Sequence, residues 1–238
     1  MTLVGRYLPH KTKSEFYFTV FALEMSQVVH DLESLRPPLT ATPELLDRLL
    51  QCIEVEIVPL TKEGVSKGNK VFGAAILDAD LKTVMAQTNS EITCPLFHGE
   101  VHCIYQWSQK THPRERGKAA QESTFLSTHE PCCMCISSIV WAGFTRCYYL
   151  FSYEHTSAQG IPHDINIMHE LWNVPTYRKQ SKFCSTACIM DLVDQLEDTE
   201  KRAALKARVD HLIKVYDEMS KQYHSEKTSN ADNSLAFD

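Results

Sequence analysis

Two short segments constrain this chain more than anything else in it: His98-Gly99-Glu100 and, about thirty residues later, Pro131-Cys132-Cys133-Met134-Cys135. One imidazole and two thiolates, His98, Cys132 and Cys135, make three zinc ligands, and three protein ligands leave the fourth tetrahedral position to a water or hydroxide. A closed structural site would need a fourth. Any fold that uses this set must bring two distant segments to one point. Cys132 and Cys135 lie three apart at the start of a predicted helix over 131–141, so their sulfurs share a face while Cys133 points elsewhere. A helix N-terminus favours anions, which lowers thiol pKa and supplies the thiolates the metal needs.

Taken alone, Cys-x-x-Cys also suits a buried pair or a redox pair. The His-x-Glu upstream, which opens a predicted helix over 98–110, selects the metal reading. Glu100 cannot be a ligand if the site is to stay open. In the His-x-Glu and Pro-Cys-x-x-Cys signature of zinc base deaminases, that carboxyl is the general acid and base. Backbone N–H groups at Gly99 and Cys132 are further candidates to touch a substrate, since both motifs open helices. His102, one turn after His98, is not needed as a ligand because the cysteines complete the set.

Here the chain resembles the cytidine/deoxycytidylate deaminase superfamily, over roughly Val71 to Tyr153. Thr128-His129-Glu130-Pro131-Cys132-Cys133-Met134-Cys135 looks like the T-x-E-P-C-x-M-C form of tRNA adenosine and guanine deaminases. His98-Gly99-Glu100 is similar instead to the H-G-E of fungal cytosine deaminases. The resemblance implies an α/β three-layer sandwich with a central mixed five-stranded sheet and helices on both faces. It also implies a homodimer, Asn89 as a base-binding side chain, and Glu130 as the residue ordering the loop before Pro131. Phe151, Tyr153 and His155 follow the strand where such enzymes line the pocket, and are candidates to stack on or contact a planar base.

The rest of the chain supplies the frame. Thr42 and Pro43 cap and open a helix carrying Leu45, Leu46, Leu49, Leu50 and Ile53, which Pro59 and the glycines at 64 and 68 should end. The chain over 71–77 and 82–87 reads as a hairpin, 124–128 and 146–152 as strands, and 191–221 as a charged helix broken near Glu197-Asp198. The expected organisation is a helical N-terminal extension over 1–66, a zinc deaminase core over 67–178, a C-terminal helical region over 179–224 and a disordered tail over 225–238. Cys184 and Cys188 are four apart, and read as small hydrophobes on one helical face rather than a second metal site.

Composition narrows the partners. The 238 residues hold 43% hydrophobic and 23% charged residues, as a soluble domain does, and no stretch approaches the length of a membrane span. The apolar stretch over 16–25 carries Thr19 and Glu24 and reads as a buried helix, not a signal peptide. Nine cysteines without a disulfide-like framework suit a reducing compartment, hence the cytoplasm. A net charge of -6 disfavours a polyanion, and the basic loop over 110–118 is the one feature that favours nucleic acid. The expected function is therefore zinc-dependent hydrolytic deamination of a nucleobase, nucleoside or related amino-heterocycle, with ammonia released. A tRNA adenosine deaminase, or a subunit of one, is the alternative among enzymes, and a non-catalytic zinc-stabilised interaction protein is the alternative outside them. The groups that choose the substrate are expected between Phe151 and Tyr177 and in the C-terminal region.

Overall fold

A computed structural model describes residues 35–227. The helix expected over 16–25 and the tail from 228 onwards lie outside the described residues. Helix α1, Pro43–Cys52, begins as its sequence dictates: the Thr42 side chain accepts a hydrogen bond from the Leu45 N–H at 3.2 Å, and Pro43 spends no donor at the first turn. Pro59 does not end the helical run. A π-helical turn, Ile53–Ile57, passes directly into α2, Val58–Ser66, so the proline that lacks an N–H sits in the first turn of a new helix. Gly68, at φ +91°, then turns the chain out.

The hairpin forms as the periodicity predicts. Strand β1, Gly73–Leu77, pairs antiparallel with β2, Thr83–Thr88, across a turn in which the Asp78 carboxylate accepts from the N–H groups of Asp80 and Lys82. Then come α3, Gly99–Lys110, α4, Arg116–Glu122, β3, Thr124–His129, α5, Cys133–Trp141, and β4, Arg146–Phe151. Two short helices, α6, Tyr153–Ala158, and α7, His163–Trp172, precede β5, Ser185–Cys188. The chain ends in α8, Ile189–Asp194, and α9, Thr199–Glu226. The break between these two falls at Asp198, whose side chain caps α9 by accepting from the N–H groups of Glu200 and Lys201.

The sheet order is β2-β1-β3-β4-β5, with β1 antiparallel to both its neighbours and β3, β4 and β5 parallel. Strand alternation divides the core in two. Ala75, Leu77, Leu126, Tyr148 and Leu150 meet Leu46, Leu50, Ile57, Ile189 and Tyr216 from α1, the π-turn, α8 and α9. Ala74, Ile76, Phe125 and Cys147 meet Cys103, Trp107, Ala120 and Ile139 from α3, α4 and α5 on the opposite side. This is the three-layer α/β sandwich with a mixed five-stranded sheet that was expected. Helices α1 and α9 share one core with the sheet, joined outside it by the ion pairs Arg208–Asp47 and Lys201–Glu44.

Two further details depart from the sequence reading. Cys184 and Cys188 do not share a helical face; Cys184 precedes β5 and Cys188 is its last residue, in a strand too short and too polar to show periodicity, and both are buried. The helix α9 runs through Ser225 and Glu226, into the segment expected as tail. Among the described residues, no helix is long and apolar enough to cross a membrane.

Antiparallel β1 between β2 and β3 has a consequence for the site. The N-terminal end of β1 and the C-terminal ends of β2, β3 and β4 lie along one edge, where the Gly73 N–H donates to the Thr128 hydroxyl at 3.0 Å. Because α1 belongs to the same core as that sheet, Leu50→Ala should cost about 2–5 kcal/mol. The loss is expected in a single denaturant transition monitored by circular dichroism, with no separate unfolding of the N-terminal helix.

Candidate metal centre

The two motifs meet at this edge. His98 ends the loop after β2 and occupies the N-cap position of α3, while Cys132 caps α5 just beyond the end of β3. The His98 Nδ1 stands 3.7 Å from the Cys132 Sγ and 3.6 Å from the Cys135 Sγ. Tetrahedral zinc with Zn–S near 2.3 Å and Zn–N near 2.0–2.1 Å requires N···S separations of about 3.6 Å. The donors therefore already stand at ligand spacing, and among the described residues these three form the one such cluster of His, Cys and acidic groups. The chemistry of the set, one nitrogen and two sulfurs, fits zinc and leaves a position open.

The two cysteines differ in charge: burial pushes the Cys135 thiol well above its ordinary pKa, and Cys132 goes the other way. A hydrogen bond from Cys135, stronger in effect than the opposing cost of burial, together with His98, holds the Cys132 thiol well below its ordinary pKa. Burial alone would keep His98 neutral, but the Cys132 sulfur outweighs it and pushes the imidazole up to about 9. The two shifts are opposite in direction and mutually supporting, each group favouring the charged form of the other.

Glu100 sits in the first turn of α3, buried at 4% exposure. Ser127 of β3 donates its hydroxyl to Oε1 at 3.0 Å, and the Cys135 Sγ lies 3.3 Å from Oε2. Burial, with the charge of Cys132 adding to it, raises this carboxyl above the ordinary carboxylate range. A buried acid beside an open metal position has the address of a proton carrier.

Glycine 99 is required by packing. A Cβ there would lie 2.7 Å from the Gly73 Cα and 2.9 Å from its nitrogen, both backbone atoms that cannot step aside. Its N–H is not offered to a substrate, because it donates to the Asn89 Oδ1 at 2.5 Å. Asn89 in turn donates from Nδ2 to the Glu91 Oε2 at 2.8 Å, so both ends of the amide expected to read a base are bonded within the protein. Glu91 was not anticipated. It is clamped by Lys70, whose N–H and ammonium both donate to it, and its Oε1 lies 3.8 Å from the His98 Nε2. A carboxylate behind the ring nitrogen that does not face the metal position is the usual means of fixing a ligand histidine.

Glu130 accepts from the Tyr153 N–H at 3.3 Å and pairs with the Lys179 ammonium, which lies over the Tyr177 ring at 4.5 Å. The Tyr153 hydroxyl donates to the Pro131 carbonyl at 2.6 Å. This residue and its tyrosine brace the loop that carries Cys132. Next to it, burial pushes His129 down to about 3, and its ring nitrogens lie 3.0 Å from the Thr128 hydroxyl and the Gln159 amide oxygen.

A cavity of about 240 Å³ opens beside His98 and Cys132, walled by Phe72, Leu96, Ile161 and Ile167 and, among polar groups, by Lys70, Glu91, His163 and Asp164. Phe151, Tyr153 and His155 are not in that wall, which corrects the expectation that they stack on a ring. Phe151 is wholly buried against His129 and Tyr216, Tyr153 is spent on Pro131, and the His155 Nδ1 bonds the Ser152 hydroxyl. His102 is engaged with the Thr88 carbonyl and lies outside the ligand cluster. In the basic loop, Arg116 donates to the Ser108 and Thr111 carbonyls, closing the end of α3. Lys70 and Glu91, twenty-one residues apart in loops, leave no trace in a sequence pattern.

Residues 54–151 match the family model described as "Cytidine and deoxycytidylate deaminase zinc-binding region". That span includes both motifs and bears out the resemblance drawn from them. Among curated protein sequences no relative matches. Among solved structures, guanine deaminase from Nitrosomonas europaea aligns at 16% identity and a TM-score of 0.43 over 73% of this chain and 87% of its own. Guanine deaminase from Bacillus subtilis aligns at 22% and 0.42, over 68% and 91%. A tRNA:A34 deaminase aligns at 20% and 0.32, over 40% and 71%.

Gly99→Ala would force the first turn of α3 away from β1. The expected result is a loss of about 1–3 kcal/mol in stability by denaturant titration. A variant as stable as the parent would show that the contact is not tight.

Proposed function

From residues 54–151, which match the zinc-binding region of the cytidine and deoxycytidylate deaminases, we propose that this chain is a zinc-dependent hydrolytic deaminase. It would replace the exocyclic amine of a nucleobase, nucleoside or related amino-heterocycle by a carbonyl oxygen and release ammonia. The observation that carries the reading is the spacing of 3.6 and 3.7 Å from the His98 Nδ1 to two cysteine sulfurs, with a buried carboxyl touching one of them. A closed structural centre would have no use for Glu100.

His98, Cys132 and Cys135 would hold the ion, which when bound supplies a water acidified towards neutral pH. The remaining work falls to the chain. Glu100 takes a proton from the attacking water and passes it to a ring nitrogen, so that the carbon bearing the amine accepts the oxygen. It then carries the second proton to the departing amine, which leaves as ammonia, and the carbonyl forms. Ser127 fixes one oxygen of Glu100 during both transfers. Glu91, anchored by Lys70 and Asn89, keeps the His98 ring in plane with its ligand position. The apolar side chains Phe72, Ile161 and Ile167 give a flat ring a dry wall to lie on.

Glu100→Gln should keep its zinc by elemental analysis and lose at least about 10²-fold in ammonia release. His98→Ala or Cys132→Ala should lose the metal itself. Normal turnover in the glutamine variant would remove Glu100 from its role.

The substrate is expected to be a free small molecule. Arg116 of the basic loop is engaged with backbone carbonyls, Lys118 pairs with Glu122, and the net charge is -6. Deamination of free bases and of tRNA, compared at two salt concentrations, checks this. Activity confined to tRNA and falling steeply with salt would reverse the assignment.

A further inference from the structure

His129, the last residue of β3, is joined to helix α9 by a line of hydrogen bonds that the chemical steps do not use. Its ring is buried, with the Thr128 hydroxyl 3.0 Å from Nδ1 and the Gln159 amide oxygen 3.0 Å from Nε2. Gln159, just past the end of α6, donates from its own Nε2 to the Asp217 Oδ1 at 3.3 Å. Its backbone carbonyl accepts from the Ser220 hydroxyl and the His224 Nε2, both at 2.9 Å. Asp217, Ser220 and His224 fall on one face of α9, so that helix grips residue 159 at three points.

Each proton in this line follows from the group before it. A carboxylate only accepts, so Asp217 turns the amide nitrogen of Gln159 towards itself and the amide oxygen towards His129. An amide oxygen also only accepts, which puts the proton of the His129 ring on Nε2. Burial keeps that ring neutral, its pKa pushed down to about 3, so Nδ1 is bare and accepts from the Thr128 hydroxyl. The Thr128 oxygen, having given its proton away, becomes a better acceptor for the Gly73 N–H. The His129 ring also packs T-shaped against Phe72 at 4.8 Å, and Phe72 walls the cavity with its ring 6.3 Å from that of His98.

We infer that His129 is a positioning residue and that α9 controls it: Asp217 orients the Gln159 amide, the amide selects the Nε2–H form of His129, and the ring in that form backs Phe72 and holds the Thr128 hydroxyl on Gly73. The reverse order, with the amide turned round and Nδ1 protonated, gives Thr128 two donors and takes the ring away as acceptor of its proton. The effect on turnover rests on the deaminase reading; the order of the protons does not.

The experiment uses the zinc-loaded full chain as the parent, Asp217→Asn, Asp217→Glu and Gln159→Leu. Nitrogen NMR of histidine-labelled protein reads the tautomer of His129, and hydrogen exchange at the Gly73 amide, relative to the Leu126 amide in mid-sheet, reads the sheet edge. The parent should carry the His129 proton on Nε2 alone. Asp217→Asn keeps the shape and removes the charge, so it should admit the Nδ1–H form to about a tenth of the population or more and speed Gly73 exchange about threefold, with zinc retained. Gln159→Leu should go at least as far in exchange, and Asp217→Glu should stay close to the parent. On whichever of cytosine, adenine and guanine the parent deaminates, Asp217→Asn should raise KM about threefold and leave kcat within about twofold, since a cavity wall is loosened and Glu100 is untouched. A role confined to stability would speed both amides alike and leave the tautomer as it was. That result, or a switched tautomer with unchanged Gly73 exchange or unchanged KM, would overturn the inference. Ammonia from none of the bases would remove the deaminase reading instead, with the tautomer and the exchange ratio still deciding for or against the role of His129.

Discussion

The first turn of α3 rests against the start of β1 with no side chain between them. Gly99 meets the backbone of Gly73, and Gly73 has Ile57 of the π-turn pressed on its own α-carbon from the other side. That contact fixes the height of His98 and Glu100 above the sheet, since one precedes Gly99 and the other follows it. It also brings Glu100 within reach of Ser127 on β3 and Cys135 on α5. Were the helix a methyl group further out, His98 would leave its place beside the two cysteine sulfurs, and Glu100 its contacts with Ser127 and Cys135, in one movement.

Around that contact the buried charges are arranged in dependence on one another. Glu91 would be expensive to bury alone, and Lys70 and Asn89 remove most of the cost. The same Asn89 takes up the Gly99 N–H, an otherwise orphaned donor at a helix start. One short network thus satisfies the end of α3, orients His98 from behind and sets a polar patch into the cavity wall. Glu130 and Lys179 do the corresponding work for the second ligand loop, tying the approach to β5 onto the turn before Cys132.

Much of this was legible in the residues. The approach of His98, Cys132 and Cys135, the place of Glu100 beside them and four of the five strands follow from two motifs and from alternation, because turns, caps and strand periods are local properties. What was not legible came from contacts across the chain. The π-turn that carries the helix past Pro59 depends on packing against the sheet, and β5 is four residues of Ser, Thr, Ala and Cys whose strand character comes from pairing with β4. Phe151 and Tyr153 are aromatics after a strand, a pattern common to pocket walls and cores, and here the core claimed them. Asn89, expected to bind a base, bonds instead to the Gly99 N–H at the helix start and to Glu91.

The residues of the two motifs and the wall opposite them come from different parts of the fold, and this explains why one was easier to read than the other. His98, Glu100, Cys132 and Cys135 sit where strands of one sheet edge pass into helices, so their spacing is set by turn geometry and survives as a motif. The facing wall includes residues of α7, whose contact with this cluster is through α5 and the cavity, with no strand between them to impose a register. A helix attached in that way can shift or change its facing residues while leaving the spacing of His98, Cys132 and Cys135 intact, so the motifs carry no information about that wall.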